Sequence, residues 1–292
     1  MRFSFSTRDI DRLSEWRVRE KLFDDLLHNP KTRVIALYED QFLVKDSKLR
    51  RFHQEDVTSA QLRVFLGKDT NTDELILLHV LSEAAALELR SSGDFKSFKE
   101  IRTALDSADQ HLAIESLAIT HWHDGHKYCP HCGQLTMVTA AGWSRSCLND
   151  GRELFPKIEP SIMAMILNDK DEILLANDAR WPRERYSLIA GFVDAGETLE
   201  LALHREVKEE VGLELDNVTY LGDQAWPFPA SQMFAFKGLA IGEVQVDGVE
   251  ILDAKFFSRK EVQHFKTTGE ITLPGELSMS AQLIDAWLNK EV

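Results

Sequence analysis

The sequence predicts an α/β protein in three parts: an N-terminal α/β domain, a small cysteine-bearing module and a C-terminal α/β domain. Three observations predict it. At 292 residues the chain exceeds one ordinary core and suits two domains plus a module. Apolar runs of strand length alternate with amphipathic stretches toward both ends. All three cysteines fall between positions 129 and 147, too few and too local for a disulfide scaffold, with a spacing that points to metal. The expected boundaries are 1–124, 125–155 and 156–292.

In the first part, Leu13 to His28 is a charged amphipathic segment ended by Asn29-Pro30. RVIALY, QFLVK, LRVFLGK and LILLHVL then read as short strands separated by polar turns. Ser82 to Arg90, Phe98 to Leu105 and Asp109 to Trp122 read as helical. Nothing here has catalytic spacing, and packing or dimerisation is the expected task. Acidic residues outnumber Lys plus Arg by 48 to 34, a formal net charge of −14. That balance argues against broad electrostatic binding of nucleic acid, and no DNA-reading helix is evident. It does not exclude a phosphate substrate, because a divalent cation inverts the local sign. The opening MRFSFSTRDIDRL has no apolar core, and no aliphatic run approaches about 18 residues, so a cytoplasmic protein without a membrane partner is expected.

The middle part, KYCPHCGQLTMVTAAGWSRSCLND, resembles a zinc ribbon. Cys129-x-x-Cys132-Gly forms one knuckle and Cys147 begins a second, where Asp150 stands in the place of a fourth cysteine. Zinc accepts carboxylate oxygen, so three thiolates with Asp150 make a reasonable tetrahedral site, with His126 and His131 as nearby substitutes. The alternative is a metal-free ribbon held by packing on Trp143.

In the third part, FPKIEPSIMAMILNDKDEILLA reads as a hairpin around Asn168 to Asp171, Trp181 to Ser187 as a loop, and SLIAGFVD as the entry to a helix. Thr198 can cap that helix, and Leu199, Leu203, Val207 and Val211 give it an apolar stripe that would pack on a sheet. Glu206, Glu209 and Glu210 fall together beside the stripe. Like charges on one helix face cost about 0.2 to 0.5 kcal/mol per exposed pair, so the cluster wants a cation, and oxygen ligands select Mg2+ or Mn2+. After the helix, VTYLGDQAWPFPASQMFAFKGLAI runs from strand through a proline-stiffened loop to strand. Val262 to Phe265 and Ser280 to Asn289 read as helical.

The stretch GFVDAGETLELALHREVKEEVGL, from Gly191 to Leu213, matches every fixed position of the Nudix box, including Arg205, Glu206, Glu209, Glu210 and Gly212. The chain thus resembles the Nudix hydrolases, which implies an α/β/α sandwich with a mixed sheet and metal-dependent hydrolysis of a nucleoside diphosphate linked to another group. Downstream, DQAWPFPAS resembles the array of the NADH pyrophosphatases, matching at Gln224, Trp226, Pro227, Phe228, Pro229 and Ser231 and departing at Asp223 and Ala225.

That resemblance implies hydrolysis of NADH or NAD+ to nicotinamide mononucleotide and AMP, with NAD-capped RNA as a larger substrate, and a homodimer. It also implies metal held by Glu206, Glu209, Glu210 and Glu250, and an orienting role for Arg205. Glu197 is expected to bind Arg205 or backbone, and the general base stays unassigned among the glutamates. Prolines present Trp226 and Phe228 at low entropic cost, and stacking of either, or of Phe192, on a base or nicotinamide is worth about 1 to 3 kcal/mol. Gln224 and Ser231 complete the expected substrate contacts. Ala281 and Gln282 replace arginines of the family. ADP-ribose or another dinucleoside diphosphate is the alternative substrate. A nucleotide-sensing module is the alternative of another class, against which the intact glutamates weigh.

Overall fold

The computed structural model describes residues 3–5, 7–57 and 59–292, and the chain forms two compact units. One contains residues 5–158 together with Pro227–Ala230. Its elements are β1 (Ile10–Asp11), α1 (Leu22–Leu27), β2 (Thr32–Tyr38), β3 (Gln41–Lys45), β4 (Lys48–Leu49), β5 (Leu62–Asp69), β6 (Glu74–Val80), α2 (Glu83–Leu89), β7 (Asp94–Ser97), α3 (Phe98–Ile101) and α4 (Ser107–Gly125). The strands form a mixed sheet in the order β1-β5-β6-β2-β3-β4, with β7 on β3. The central parallel pair is β2 with β6, and both read as continuous buried runs, Val34 to Leu37 and Leu75 to His79, as strands covered on both faces do.

The four strands expected from the apolar runs are β2, β3, β5 and β6. The amphipathic segment from Leu13 to His28 resolves into a 3-10 turn, Ser14–Trp16, and the short α1. The expected helix from Phe98 to Leu105 closes after one turn. Helix α4 begins earlier than its apolar pattern does, at Ser107, because the Asp106 carboxylate accepts the Asp109 N–H at 2.9 Å. It is buried around most of its circumference, with Glu115, Ser116, Thr120 and His123 among its buried polar residues.

The ribbon belongs to the same unit. Strands β8 (Thr136–Thr139), β9 (Ser144–Cys147) and β10 (Glu153–Leu154) pair antiparallel in the order β10-β9-β8. Trp143 keys it to the larger sheet. Its indole N–H donates to the Phe65 carbonyl at 2.7 Å, and the Arg17 guanidinium lies 3.7 Å from the ring centroid. His123, at the end of α4, faces the Gly142 carbonyl through Nε2 at 2.8 Å and takes a hydrogen bond from Arg145 on Nδ1 at 2.9 Å.

The other unit contains residues 159–226 and 231–292, with Phe3 in its core. Its elements are β11 (Glu159–Leu167), β12 (Ile173–Asp178), β13 (Ile189–Phe192), α5 (Leu199–Val211), β14 (Glu214–Trp226), β15 (Ser231–Ile241), β16 (Ile251–Phe257), α6 (Arg259–Thr268) and α7 (Met279–Leu288). The sheet order is β14-β15-β11-β12-β16, with β13 on β11 and a parallel β11/β15 pair.

Period-two alternation in β11 builds the layers. Ile162, Ala164 and Ile166 face α5 with Leu203, Val207 and Val211. Met163, Met165 and Leu167 face α6 and α7 with Val262, Phe265, Leu283 and Trp287. This is the α/β/α sandwich expected from the resemblance. The expected hairpin differs in detail: β11 and β12 meet at Leu167↔Ile173, and beyond that point the register of β11 from Ser161 to Ala164 is taken by β13. No helix among the described residues is long and apolar enough to cross a membrane.

Candidate active site

Helix α5 carries the acid cluster, and its ends are set locally. Thr198 Oγ1 accepts the Leu201 N–H at 3.2 Å, and Gly212 closes the helix in the left-handed region at φ 71°. Burial of Leu203, Val207 and Val211 fixes its rotation, which puts Arg205, Glu206, Glu209 and Glu210 beside the sheet.

Arg205 spends five hydrogen bonds there, one for each N–H of a guanidinium. Nε and Nη2 fork Glu197 at 3.0 and 2.8 Å. Nη1 reaches Glu206 at 2.8 Å and Glu209 at 3.1 Å, and Nη2 also meets the Phe192 carbonyl at 2.9 Å. Glu197 in turn accepts the Asp194 N–H at 3.0 Å, so it braces both the arginine and the turn before the helix. Gly191 leaves room for Glu206: a Cβ there would lie 2.0 Å from its carboxyl carbon, so a larger residue would displace that carboxylate.

Glu210 is 5% exposed, and the strongest charge effects on it come from carboxylates, those of Glu206, Glu250, Asp247 and Asp178, with the Arg180 guanidinium also acting on it. Burial, then those carboxylates, push its carboxyl up to about 8. Burial likewise raises Glu206, with Arg205 opposing. A buried acid surrounded by acids is a site built for a cation, and its all-oxygen donor set fits a hard divalent ion.

Glu250 stands on the turn before β16. Its N–H donates to Asp247 at 2.9 Å, and its carboxylate lies 3.4 Å from Arg180 Nη2. Arg180 is itself forked on buried Asp178, through Nε at 2.9 Å and through Nη2. Asp178, Arg180 and Asp247 are neighbours of Glu210 and Glu250 that the sequence reading missed. Asp178 ends an apolar strand and Asp247 precedes Glu250 by three, but no helical spacing marks either.

The expected substrate residues have different settings. Phe192 is 55% exposed at the edge of the box. Gln224 is buried, donating its amide to the Leu277 carbonyl at 2.9 Å and to that of Ser4 at 3.2 Å, which makes it a strut of this unit. Trp226 and buried Ser231 are register partners at the end of the β14/β15 pair. Phe228 groups with the N-terminal unit, its ring stacked 6.3 Å from that of Phe98, while the Pro227 carbonyl faces His121 Nδ1 at 3.0 Å. Ala281 and Gln282 lie in the first turn of α7, where the Gln282 side-chain oxygen accepts the Ser4 N–H at 2.9 Å.

In the ribbon, ligand atoms of Cys129, Cys132, Cys147 and Asp150 lie within 4.8 Å of one another. Among the described residues this is the group found at such spacing; in the box, Glu206 and Glu209 are drawn to Arg205. The two knuckles repeat each other. The N–H of Gly133 donates to the Cys129 carbonyl at 2.9 Å and that of Gly151 to the Cys147 carbonyl at 3.0 Å, the two glycines having φ 71° and 69°. Asp150 therefore holds in the second knuckle the place of Cys132 in the first. Three thiols and a carboxylate at this spacing fit a structural zinc ion.

A family model described as the NUDIX domain matches residues 157–273, and one described as the NADH pyrophosphatase zinc ribbon domain matches residues 124–155. The chain is 34% identical over 224 residues to the NAD-capped RNA hydrolase NudC of Mycobacterium tuberculosis, covering 72% of this chain and 71% of that one. It is 30% identical over 248 residues to the mitochondrial NAD(P)H pyrophosphatase NUDT13 of Homo sapiens, covering 80% of this chain and 70% of that one. Among solved structures, a NUDIX hydrolase from Nitrosomonas europaea matches with TM-score 0.45 and 18% identity over 56% of this chain and 92% of that one.

Proposed function

Because the chain belongs to the Nudix hydrolases, in the branch that joins a NADH pyrophosphatase zinc ribbon to the catalytic domain, we propose that it hydrolyses the pyrophosphate of NADH or NAD+ to nicotinamide mononucleotide and AMP. NAD-capped RNA is its larger substrate in this reading, on the likeness to the mycobacterial enzyme. The observation that carries the chemistry is the buried Glu210 among acids, with Glu206 and Glu209 wired to one arginine.

Glu206, Glu209 and Glu210 would hold Mg2+ or Mn2+, with Glu250 completing the set. Bound there, the ions neutralise the pyrophosphate oxygens, lower the pKa of the attacking water and stabilise the departing phosphate. Arg205 keeps the Glu206 and Glu209 carboxylates aimed, and Glu197 keeps Arg205 in place. Burial raises both Glu206 and Glu210, and the general base stays unassigned among the glutamates. Exposed Phe192 offers a flat face next to the box for base or nicotinamide, and Trp226, in the same unit, is a second candidate for stacking. Zinc on Cys129, Cys132, Cys147 and Asp150 would be structural, since four protein ligands leave no position for water. We take the working form to be a cytoplasmic homodimer.

The deciding measurement is a panel of NADH, NAD+, ADP-ribose and NAD-capped RNA with Mg2+ or Mn2+ and separation of products. Nicotinamide mononucleotide and AMP from NADH support the reading. Turnover of ADP-ribose alone would replace it.

A further inference from the structure

The loop joining β12 to β13 carries three arginines within six residues, Arg180, Arg183 and Arg185, against one acid, Glu184. All three arginines are exposed, in a chain of formal net charge −14. The backbone beneath them is tied along its length. Buried Asn177 donates its amide to the carbonyls of Pro182 at 2.9 Å and Arg185 at 2.8 Å. The Trp181 N–H reaches the Asp178 carbonyl at 2.9 Å, the Thr272 N–H reaches that of Glu184 at 2.7 Å, and the Tyr186 N–H reaches that of Thr272 at 3.0 Å. At the start of the loop Arg180 is forked on Asp178 beside Glu250; at its end the Arg185 guanidinium lies 4.6 Å from the Trp181 ring centroid. The result is a loop of tied backbone whose first arginine is paired with Asp178 and Glu250 and whose Arg183 and Arg185 are exposed beyond it.

We propose that this loop holds the phosphodiester backbone of a single-stranded RNA whose 5′ pyrophosphate occupies the acid cluster, with Arg183 and Arg185 on successive phosphates. The inference rests on the capped-RNA reading above. Planar guanidinium forks match phosphate oxygens, and a preorganised loop loses little entropy on binding. Screening over about 8 Å at physiological salt lets these local cations act despite the acidic whole. NADH has no phosphodiester beyond its pyrophosphate, so it makes no use of them.

The test is the double variant Arg183→Gln/Arg185→Gln, with kcat/KM measured on NADH and on NAD-capped single-stranded RNA over a range of salt. The expected result is at least about a tenfold loss on capped RNA at low salt and less than about a twofold change on NADH. The log–log salt slope on RNA should become shallower by about 1.4, from about 0.7 per phosphate contact on a single strand. Arg183→Lys/Arg185→Lys should restore most of that slope, since it keeps the charges. Equal losses on both substrates, or an unchanged salt slope, would overturn the proposal. Unaltered enzyme that cleaves NADH and leaves capped RNA intact would also overturn it, leaving the diphosphatase reading in place; inactivity on both would overturn that reading as well.

Discussion

Gly191 shows how one residue governs the acid cluster. A methyl group there cannot coexist with the present position of the Glu206 carboxyl, 2.0 Å from where its carbon would stand. Gly191→Ala is therefore expected to lower kcat by about tenfold or more and to raise the Mg2+ concentration needed for half-maximal activity, with the unfolding temperature little changed. A metal titration of the variant beside a thermal melt checks both halves. Glu210→Gln is expected to cut kcat by at least about 100-fold at saturating metal, the lower end of what a positioned acid or base contributes. Its metal-free form should be no less stable than the parent, since at neutral pH the parent must keep a proton on Glu210 that the unfolded chain would release and the amide need not. Near-native kcat would return the cluster to a sensing role. Glu206, Glu209 and Glu210 were legible because one helix sets their spacing. Asp178, Arg180 and Asp247 were not, because strands and turns distant in sequence bring them together.

Among the elements, the ribbon makes the sharpest prediction. The repeat of its knuckles puts Asp150 where the first has Cys132, and carboxylate is a weaker partner for zinc than thiolate. Asp150→Cys is expected to hold zinc longer under chelator, and Asp150→Ala to lose it; zinc content after timed exposure to EDTA decides. Substoichiometric zinc in freshly prepared, chelator-free protein would remove the site. The knuckle pattern was readable from four residues. So were β2, β3, β5 and β6, whose apolar runs match burial on both faces. What the sequence hid was competition for partners: β13 takes the edge of β11 that a hairpin would have given to β12. Array residues were legible as a motif but not as a place, since Gln224 turns inward and Phe228 stacks on Phe98.

For the molecule as a whole, stability against pH should carry the signature of Glu115. This carboxyl is buried within α4; burial raises it to about 7, opposed by Arg12, whose Nη1 lies 3.0 Å away, and by Arg17. A raised acid stabilises the fold fully below its unfolded pKa of about 4.5 and loses that contribution as pH climbs through about 7. Buried His79, lowered to about 4 by burial and Arg63, works in the opposite sense, losing stability as pH falls below about 6.5. These two slopes oppose each other, and a substitution at Glu115 isolates one of them. Glu115→Gln is thus expected to gain on the parent by about 3 kcal/mol in all between pH 4.5 and 7. Denaturant melts of both proteins across that range check it; a constant difference would show that Glu115 is already ionised at low pH. Light scattering at several concentrations tests the homodimer, and a monomer at micromolar protein would leave the N-terminal unit without its expected task.

The Trp143 junction carries a consequence beyond the ribbon itself. With its indole bonded to Phe65 and covered by Arg17, and with His123 joining α4 to Gly142 and Arg145, the ribbon shares its supports with the central helix and sheet of its unit. Zinc availability then enters the folding equilibrium of some 150 residues by mass action. Each tenfold fall in free zinc while the site is saturated costs that unit about 1.4 kcal/mol. Scarcity of zinc is thus expected to show as loss of folded protein, read as a lowered unfolding temperature in chelator.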